Sequence, residues 1–208
     1  MRRPWVIAGA IVALFFVACA AAIAYAALRY RSYSTPSEAM APTLRVGDAF
    51  FVDRFAYRST APQRGDVVVF VPPIASANPF IKRIVAIPGD RFAIHGGRAL
   101  LNGTAVREPY VQERTSYELA IRDYGVLVDG ARLDSATAMI PPRSGWTAPD
   151  TVPRGCYVML GDNRNNSEDS HVWGFACPGR TAPDSKQPVE FIGRAVLPPY
   201  AHEPPPAR

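Results

Sequence analysis

The chain has 208 residues, 48% hydrophobic and 20% charged, which excludes a disordered or collagen-like polypeptide and fits one domain of ordinary size with an appendage. Three cysteines are too few for a disulfide-dense scaffold. The formal net charge is +5, but residues 1–37 carry Arg2, Arg3, Arg29 and Arg31 and no acid; the rest balances 19 basic against 18 acidic groups, so the basic excess makes no case for nucleic acid as a partner.

After a short tail at residues 1–4, residues 5–28 form a run without a charge, flanked by Arg2 and Arg3 on one side and Arg29 and Arg31 on the other. A helix of about 20 residues crosses the hydrocarbon core of a bilayer, so this run predicts a membrane anchor, with Trp5 and Tyr25 or Tyr30 at interfacial depth. The competing reading is a cleavable secretory signal, since Ala24-Tyr25-Ala26 has the small-x-small form. Such signals have apolar cores of about 7–15 residues, and this run is longer, so an uncleaved single-pass anchor is expected. Two arginines on each side tie the positive-inside count, and the N-terminal amine tips it toward a cytoplasmic N-terminus. The bilayer is thus an expected partner, with the remaining residues on the extracytoplasmic side of the cytoplasmic membrane.

Beyond the anchor the chain reads as mostly β. Residues 49–52, 66–71, 81–87, 91–94, 157–160 and 191–196 are short apolar or alternating runs rich in Val, Ile and Phe. Gly47-Asp48, Gly65-Asp66, Gly89-Asp90 and Gly161-Asp162 mark turns between them. Twenty-one prolines, set mostly between the runs, argue against long helices. The expected fold is an antiparallel β-sheet or barrel-like catalytic domain over residues 34–197, preceded by one transmembrane helix. Residues 108–153 read as a long irregular connection with one candidate strand at 124–128, and 198–208 as an extended proline-rich tail.

One residue stands out by type. The chain supplies positive charge with 23 lysines and arginines, of which only Lys82 and Lys186 are lysines. Arginine cannot lose its proton in a protein, whereas a lysine among apolar neighbours can. Ile81, Ile84 and Val85 are such neighbours, and a neutral amine there can act as a general base. A surface lysine blunting a strand edge is the alternative.

Three segments carry the polar chemistry. The first is Pro36-Ser37-Glu38-Ala39-Met40-Ala41-Pro42-Thr43-Leu44; the second runs from Phe80-Ile81-Lys82-Arg83 to Pro88-Gly89-Asp90. The third is Gly161-Asp162-Asn163-Arg164-Asn165-Asn166-Ser167-Glu168-Asp169-Ser170-His171. In this order, after an N-terminal anchor, they resemble the type I signal peptidase family of Ser/Lys-dyad serine peptidases, from about residue 36 to 196. The resemblance implies a nucleophile just before Met40, Lys82 as its general base, and the Ser37 hydroxyl joining a backbone N–H as an oxyanion hole. It further implies that Ser167 hydrogen-bonds the lysine amine. Asp162, Asn163, Arg164 and Asp169 are then framework groups that form turns and an ion pair beneath the site. Pro36, Met40, Phe80 and Ile81 are expected to line the substrate groove, and no metal or organic cofactor is required. The implied substrates are signal-peptide-bearing preproteins, cut after small side chains.

Two positions depart from that pattern. Residue 39 is alanine, and a methyl group cannot attack a carbonyl. The chain is then an engineered nucleophile variant, a natural homologue that binds exported or pilin-type substrates without efficient cleavage, or a case where Ser37 or Thr43 substitutes. In an extended segment Ser37 lies about 6.5 Å from position 39, too far to take over an attack that a displacement of about 1 Å already impairs. The second departure is His171, where arginine usually follows Asp-Ser; a histidine partner makes an ion pair with Asp169 pH-dependent. Cys156 and Cys177 bracket the third segment, and if the flanking runs approach each other a disulfide between them contributes roughly 3 kcal/mol. Two buried thiols are the alternative. The histidines His95, His171 and His202 are dispersed and no Cys-x-x-Cys exists, so no metal site is expected.

Overall fold

The computed structural model describes residues 4–197; residues 1–3 and the proline-rich tail expected at 198–208 lie outside the described residues. Helix α1 (Pro4–Arg29) is an apolar rod of 26 residues. Ile11, Leu14, Phe15, Phe16, Val17 and Ile23 are all exposed along it, left uncovered by the described residues. It is long and apolar enough to cross a membrane.

The helix runs directly into β1 (Tyr30–Ser34), followed by β2 (Ala49–Asp53), β3 (Val67–Val71) and β4 (Phe80–Ala86). The chain then leaves to form β5 (Phe92–His95), β6 (Arg98–Leu101), β7 (Thr104–Ala105), β8 (Leu119–Arg122), β9 (Gly125–Val128) and β10 (Ala131–Arg132). It returns through β11 (Val158–Leu160), the short helix α2 (Ser170–Trp173) and β12 (Glu190–Val196). The result is two six-stranded sheets, ordered β1-β2-β12-β3-β4-β11 and β10-β9-β8-β5-β6-β7, with every strand pairing antiparallel. The second sheet is thus an insertion between two strands of the first.

The expected antiparallel fold is present, and the expected strands match β2, β3, β4, β5, β11 and β12 within a residue or two. Residues 108–153 are more ordered than their sequence suggests, since they hold β8, β9 and β10. These strands have at most four residues each, too short for a periodic signal, and they are held by pairing, β8 with β5, β9 with β8 and β10 with β9.

The first sheet is apolar on both faces, which explains the unbroken Val-Val-Val-Phe-Val of β3. Val68, Phe70 and Ile84 join the main core with Phe92, Ile94, Leu119 and Val126 of the second sheet. On the other face Val67, Val69 and Ile81 pack with Met40, Leu44, Phe50 and Val52. Cys156 and Cys177 are joined by a disulfide, beside the Tyr157–Ala176 bridge that brings their flanking runs together.

Candidate active site

Strand β4 supplies two consecutive cations that go to opposite sides, because side chains alternate along a strand. Lys82 pairs with Val68, and Arg83 with Val67, so each shares a face with its partner. Arg83 meets a ready carboxylate: its Nε donates to Asp162 Oδ1 at 2.8 Å and its Nη2 to Oδ2 at 2.6 Å. The Arg83 guanidinium also lies 3.9 Å from the Tyr110 ring centroid, and Thr43 Oγ1 donates to Asp162 Oδ2 at 2.5 Å.

Lys82 has a different environment. It is 4% exposed, and its Nζ lies 5.4 Å from the Phe80 ring centroid. No hydrogen bond or ion pair to this amine occurs among the described residues. Burial pulls its pKa below the ordinary lysine value, against the opposing fields of Asp169, Glu168 and Asp162.

Strand β11 ends where Leu160 pairs with Arg83, so the next antiparallel step sets Gly161 beside Lys82. Gly161 is a crowded position. A Cβ there would overlap both Ser167 Oγ and the Ala39 carbonyl oxygen, so only glycine lets these segments meet. Its N–H donates to Asp169 Oδ2 at 2.9 Å, and its carbonyl accepts from Arg164 Nε at 3.0 Å. Arg164 is in turn held by Glu108, with Nη1 to Oε2 at 3.0 Å and Nη2 to Oε1 at 2.6 Å. Asp169 caps α2 and contacts His171 Nδ1 at 2.7 Å.

The first segment folds against this loop. Residues Glu38–Met40 form a single 3-10 turn, with Ser37 extended before it, and β4 contacts the turn. The Asn163 N–H donates to the Ala39 carbonyl at 3.1 Å, and the Asn163 side chain donates to the Glu38 carbonyl at 3.2 Å. The opening N–H groups of such a turn have no acceptor inside it, which makes the start of the turn a natural place for oxyanion donors. Ala39 is buried and Ser37 exposed, and the Ser37 hydroxyl makes no cap hydrogen bond.

Several expectations need correction. The segment around Ala39 is not extended, because the turn at 38–40 breaks the alternation that set the spacing of Ser37 from position 39. Thr43 is not a spare hydroxyl, being committed to Asp162. Met40 and Ile81 do not line an open groove: both are buried in the second apolar cluster, leaving exposed Pro36 and half-buried Phe80 near the surface. The expected bond from Ser167 to Lys82 is absent; Ser167 Oγ is buried against Gly161 and has no partner among the described residues.

The residues that sequence reasoning missed are Glu108, Tyr110 and Tyr117. Glu108 and Tyr110 lie in the connector from β7 to β8, where the Tyr110 hydroxyl donates to Glu108 at 3.0 Å. Tyr117 stacks on the His171 ring at a centroid distance of 4.3 Å. The Glu-Pro-Tyr run at 108–110 is the one signal available, and nothing local assigns it to an arginine 56 residues away.

Residues 8–182 match the family described as "Signal peptidase, peptidase S26". A signal peptidase I of Leptolyngbya laminosa is 37% identical over 169 residues, which cover 78% of this chain and 64% of that protein. A signal peptidase I of Aquifex aeolicus (strain VF5) is 31% identical over 178 residues, 70% of each chain. A crystal structure of a signal peptidase I from Enterococcus faecalis V583 is 26% identical, with 56% of this chain and 89% of that one covered and a TM-score of 0.36. The chain spans a little under two thirds of the length of the Leptolyngbya relative. It belongs to the signal peptidase, peptidase S26, family.

Proposed function

We propose that this site is the Ser/Lys centre of a membrane-anchored endopeptidase that removes signal peptides from exported preproteins. The observation that carries the reading is Lys82: a nearly fully buried amine, unpaired among the described residues and with its pKa pulled down by burial, next to the loop that packs on residue 39. A neutral amine so placed accepts the proton of a hydroxyl at position 39 as that oxygen attacks the scissile carbonyl. The Ser37 hydroxyl and a backbone N–H at the start of the 38–40 turn hold the resulting oxyanion. The lysine then returns the proton to the leaving amine, and water hydrolyses the acyl group. Asp162, Asn163, Arg164 and Asp169 keep the loop in register. The helix α1 crosses the cytoplasmic membrane once and leaves the β domain on the extracytoplasmic side, where signal peptides emerge.

A second reading is favoured by the Ala39 methyl group. Without an attacking oxygen the first step has no bond to form, and the chain binds preproteins without efficient cleavage.

The Ala39→Ser chain, assayed in detergent on a preprotein with small residues at its cleavage site, separates the two. The expected result is binding without turnover by the Ala39 chain and a gain on the order of 10⁴–10⁶-fold in cleavage on restoring serine. Adding Lys82→Ala abolishes the gain. An Ala39→Ser chain that neither binds nor cuts the preprotein refutes both readings.

A further inference from the structure

We propose that Arg29 and Asp53 are positioning residues that lock the membrane anchor to the first sheet, so that α1 holds Lys82 at one height and orientation over the bilayer surface. This assignment deepens the reading of α1 as a membrane span and Lys82 as the base, and so rests on it.

The joint between helix and sheet has no linker. Arg29 is the last residue of α1 and Tyr30 the first of β1, and Tyr30 pairs at once with Asp53 at the end of β2. Such a junction can still pivot about the backbone dihedrals of its two residues. Side contacts close off that freedom. Arg29 Nε donates to Asp53 Oδ1 at 3.0 Å and its Nη2 to Oδ2 at 2.6 Å, a bidentate geometry that sets direction as well as distance. The Arg54 N–H donates to the Arg29 carbonyl at 2.9 Å, and Phe55 meets Tyr25, one turn back along the helix, edge-on with ring centroids 6.0 Å apart. Asp53 is itself buried and accepts the Phe55 N–H at 2.9 Å, so both of its oxygens are held. A Cβ on Gly193 would overlap the Asp53 carbonyl oxygen, so β12 braces this end of β2 closely. The Arg29 side chain is 33% exposed, so the pair adds little to stability; what it supplies is geometry.

The sheet register carries this joint to the base. Tyr30 pairs with Asp53, Asp53 with Arg194, Arg194 with Val68 and Val68 with Lys82, one unbroken row across five strands. Four strand spacings set Lys82 about 19 Å from the exit of the anchor. Arg194 on this row turns to Asp66, at 3.7 Å, and leaves the Asp53 carboxylate to Arg29 and the Phe55 N–H. The row cannot slip, because a shift of one residue turns the buried face of a strand outward. The freedom that remains is at the joint, where a swing of about 20° moves the amine by roughly 7 Å relative to the bilayer. A preprotein held in the same bilayer presents its cleavage segment at a set height. A base held at the matching height meets that segment without a search.

The free thiol of α1 makes the test direct. Cys19 takes one nitroxide label, since Cys156 and Cys177 are joined, and Glu190→Cys, exposed on β12, takes the other. Distances are read by pulsed electron paramagnetic resonance on the full chain in lipid nanodiscs. The parent chain is expected to give one narrow distribution, and Arg29→Gln and Asp53→Asn to lose it to a broad one. Arg31→Gln removes a neighbouring charge outside the pair and keeps the narrow distribution. Near-UV circular dichroism reports that each variant is folded. Equal widths in all four chains overturn the lock. Its effect on the reaction is read after Ala39→Ser. Adding Arg29→Gln is expected to cost on the order of tenfold in turnover of a preprotein reconstituted in the same vesicles, and to leave cleavage of a short soluble peptide unchanged. Equal effects on the two substrates overturn the positioning role. An Ala39→Ser chain that cuts neither substrate refutes the base assignment and leaves the lock, read from distances alone, standing.

Discussion

The two faces of strand β4 treat a buried cation in opposite ways. On one face Arg83 meets Asp162 through two parallel hydrogen bonds, with the Tyr110 ring stacked against it and the Gly65 carbonyl accepting at 3.0 Å. On the other, Lys82 lies opposite Val68 and over the Phe80 ring, with no paired anion among the described residues. Burial is similar at the two residues, 4% exposed at Lys82 and 8% at Arg83. Burial alone therefore does not determine whether a cation keeps its proton; the partner does. Where a carboxylate is supplied, the charge is fixed and the residue is structural. Where it is withheld, the amine can become neutral and reactive.

Breaking the paired face has the largest expected effect on stability. Asp162→Ala leaves Arg83 buried without its counter-ion and removes the acceptor of Thr43, and is expected to lower stability by about 3–5 kcal/mol in thermal or denaturant unfolding. A loss below about 1 kcal/mol would place the pair among exposed ion pairs and erase the contrast.

Changing the unpaired face has the opposite sign. Lys82→Met keeps the volume and removes the amine, and is expected to raise stability at neutral pH by about 1–2 kcal/mol. The pH dependence follows from the direction of the shift. The folded state lowers this pKa from its ordinary 10.5, so the unfolded chain binds more protons between the two values and stability rises with pH through that window. The penalty is fully present below the lowered folded-state pKa and is gone above the ordinary one. The stabilisation by Lys82→Met thus shrinks as pH approaches about 10.5, and a gain independent of pH would show that packing, not desolvation, produced it.

The smallest effect sharpens the comparison. Tyr110→Phe keeps the ring over Arg83 and deletes the hydroxyl that donates to Glu108, so a loss of about 0.5–1.5 kcal/mol is expected, with the pH midpoint of Lys82 in ¹³C-lysine NMR unmoved. A shifted midpoint would mean that the two faces communicate through the β7–β8 connector.

Much of the frame was legible in the chain. Strand β3 announces itself because both of its faces are covered, and β4 because its apolar residues and its motif coincide. Strand β1 was missed: Tyr-Arg-Ser-Tyr-Ser has no apolar stripe and becomes a strand by following α1 and pairing with β2. The site divides in the same manner. Lys82 is readable by residue type, since lysine is rare here and flanked by apolar neighbours. The roles of Glu108 and Tyr117 are not, because neither sits in a local pattern that names its partner.

Periodicity and residue type act over a few neighbours, so the sequence by itself determined the apolar 5–28 run, most strands of the first sheet and the order of the three polar segments. Only the tertiary structure decided that Arg83 closes on Asp162, 79 residues away, that Arg164 closes on Glu108, 56 residues away, and that Ser167 Oγ has no partner among the described residues. Those outcomes depend on how an inserted sheet docks and which backbone yields at Gly161. Long-range pairing is chosen by packing between elements, which carries no local signature.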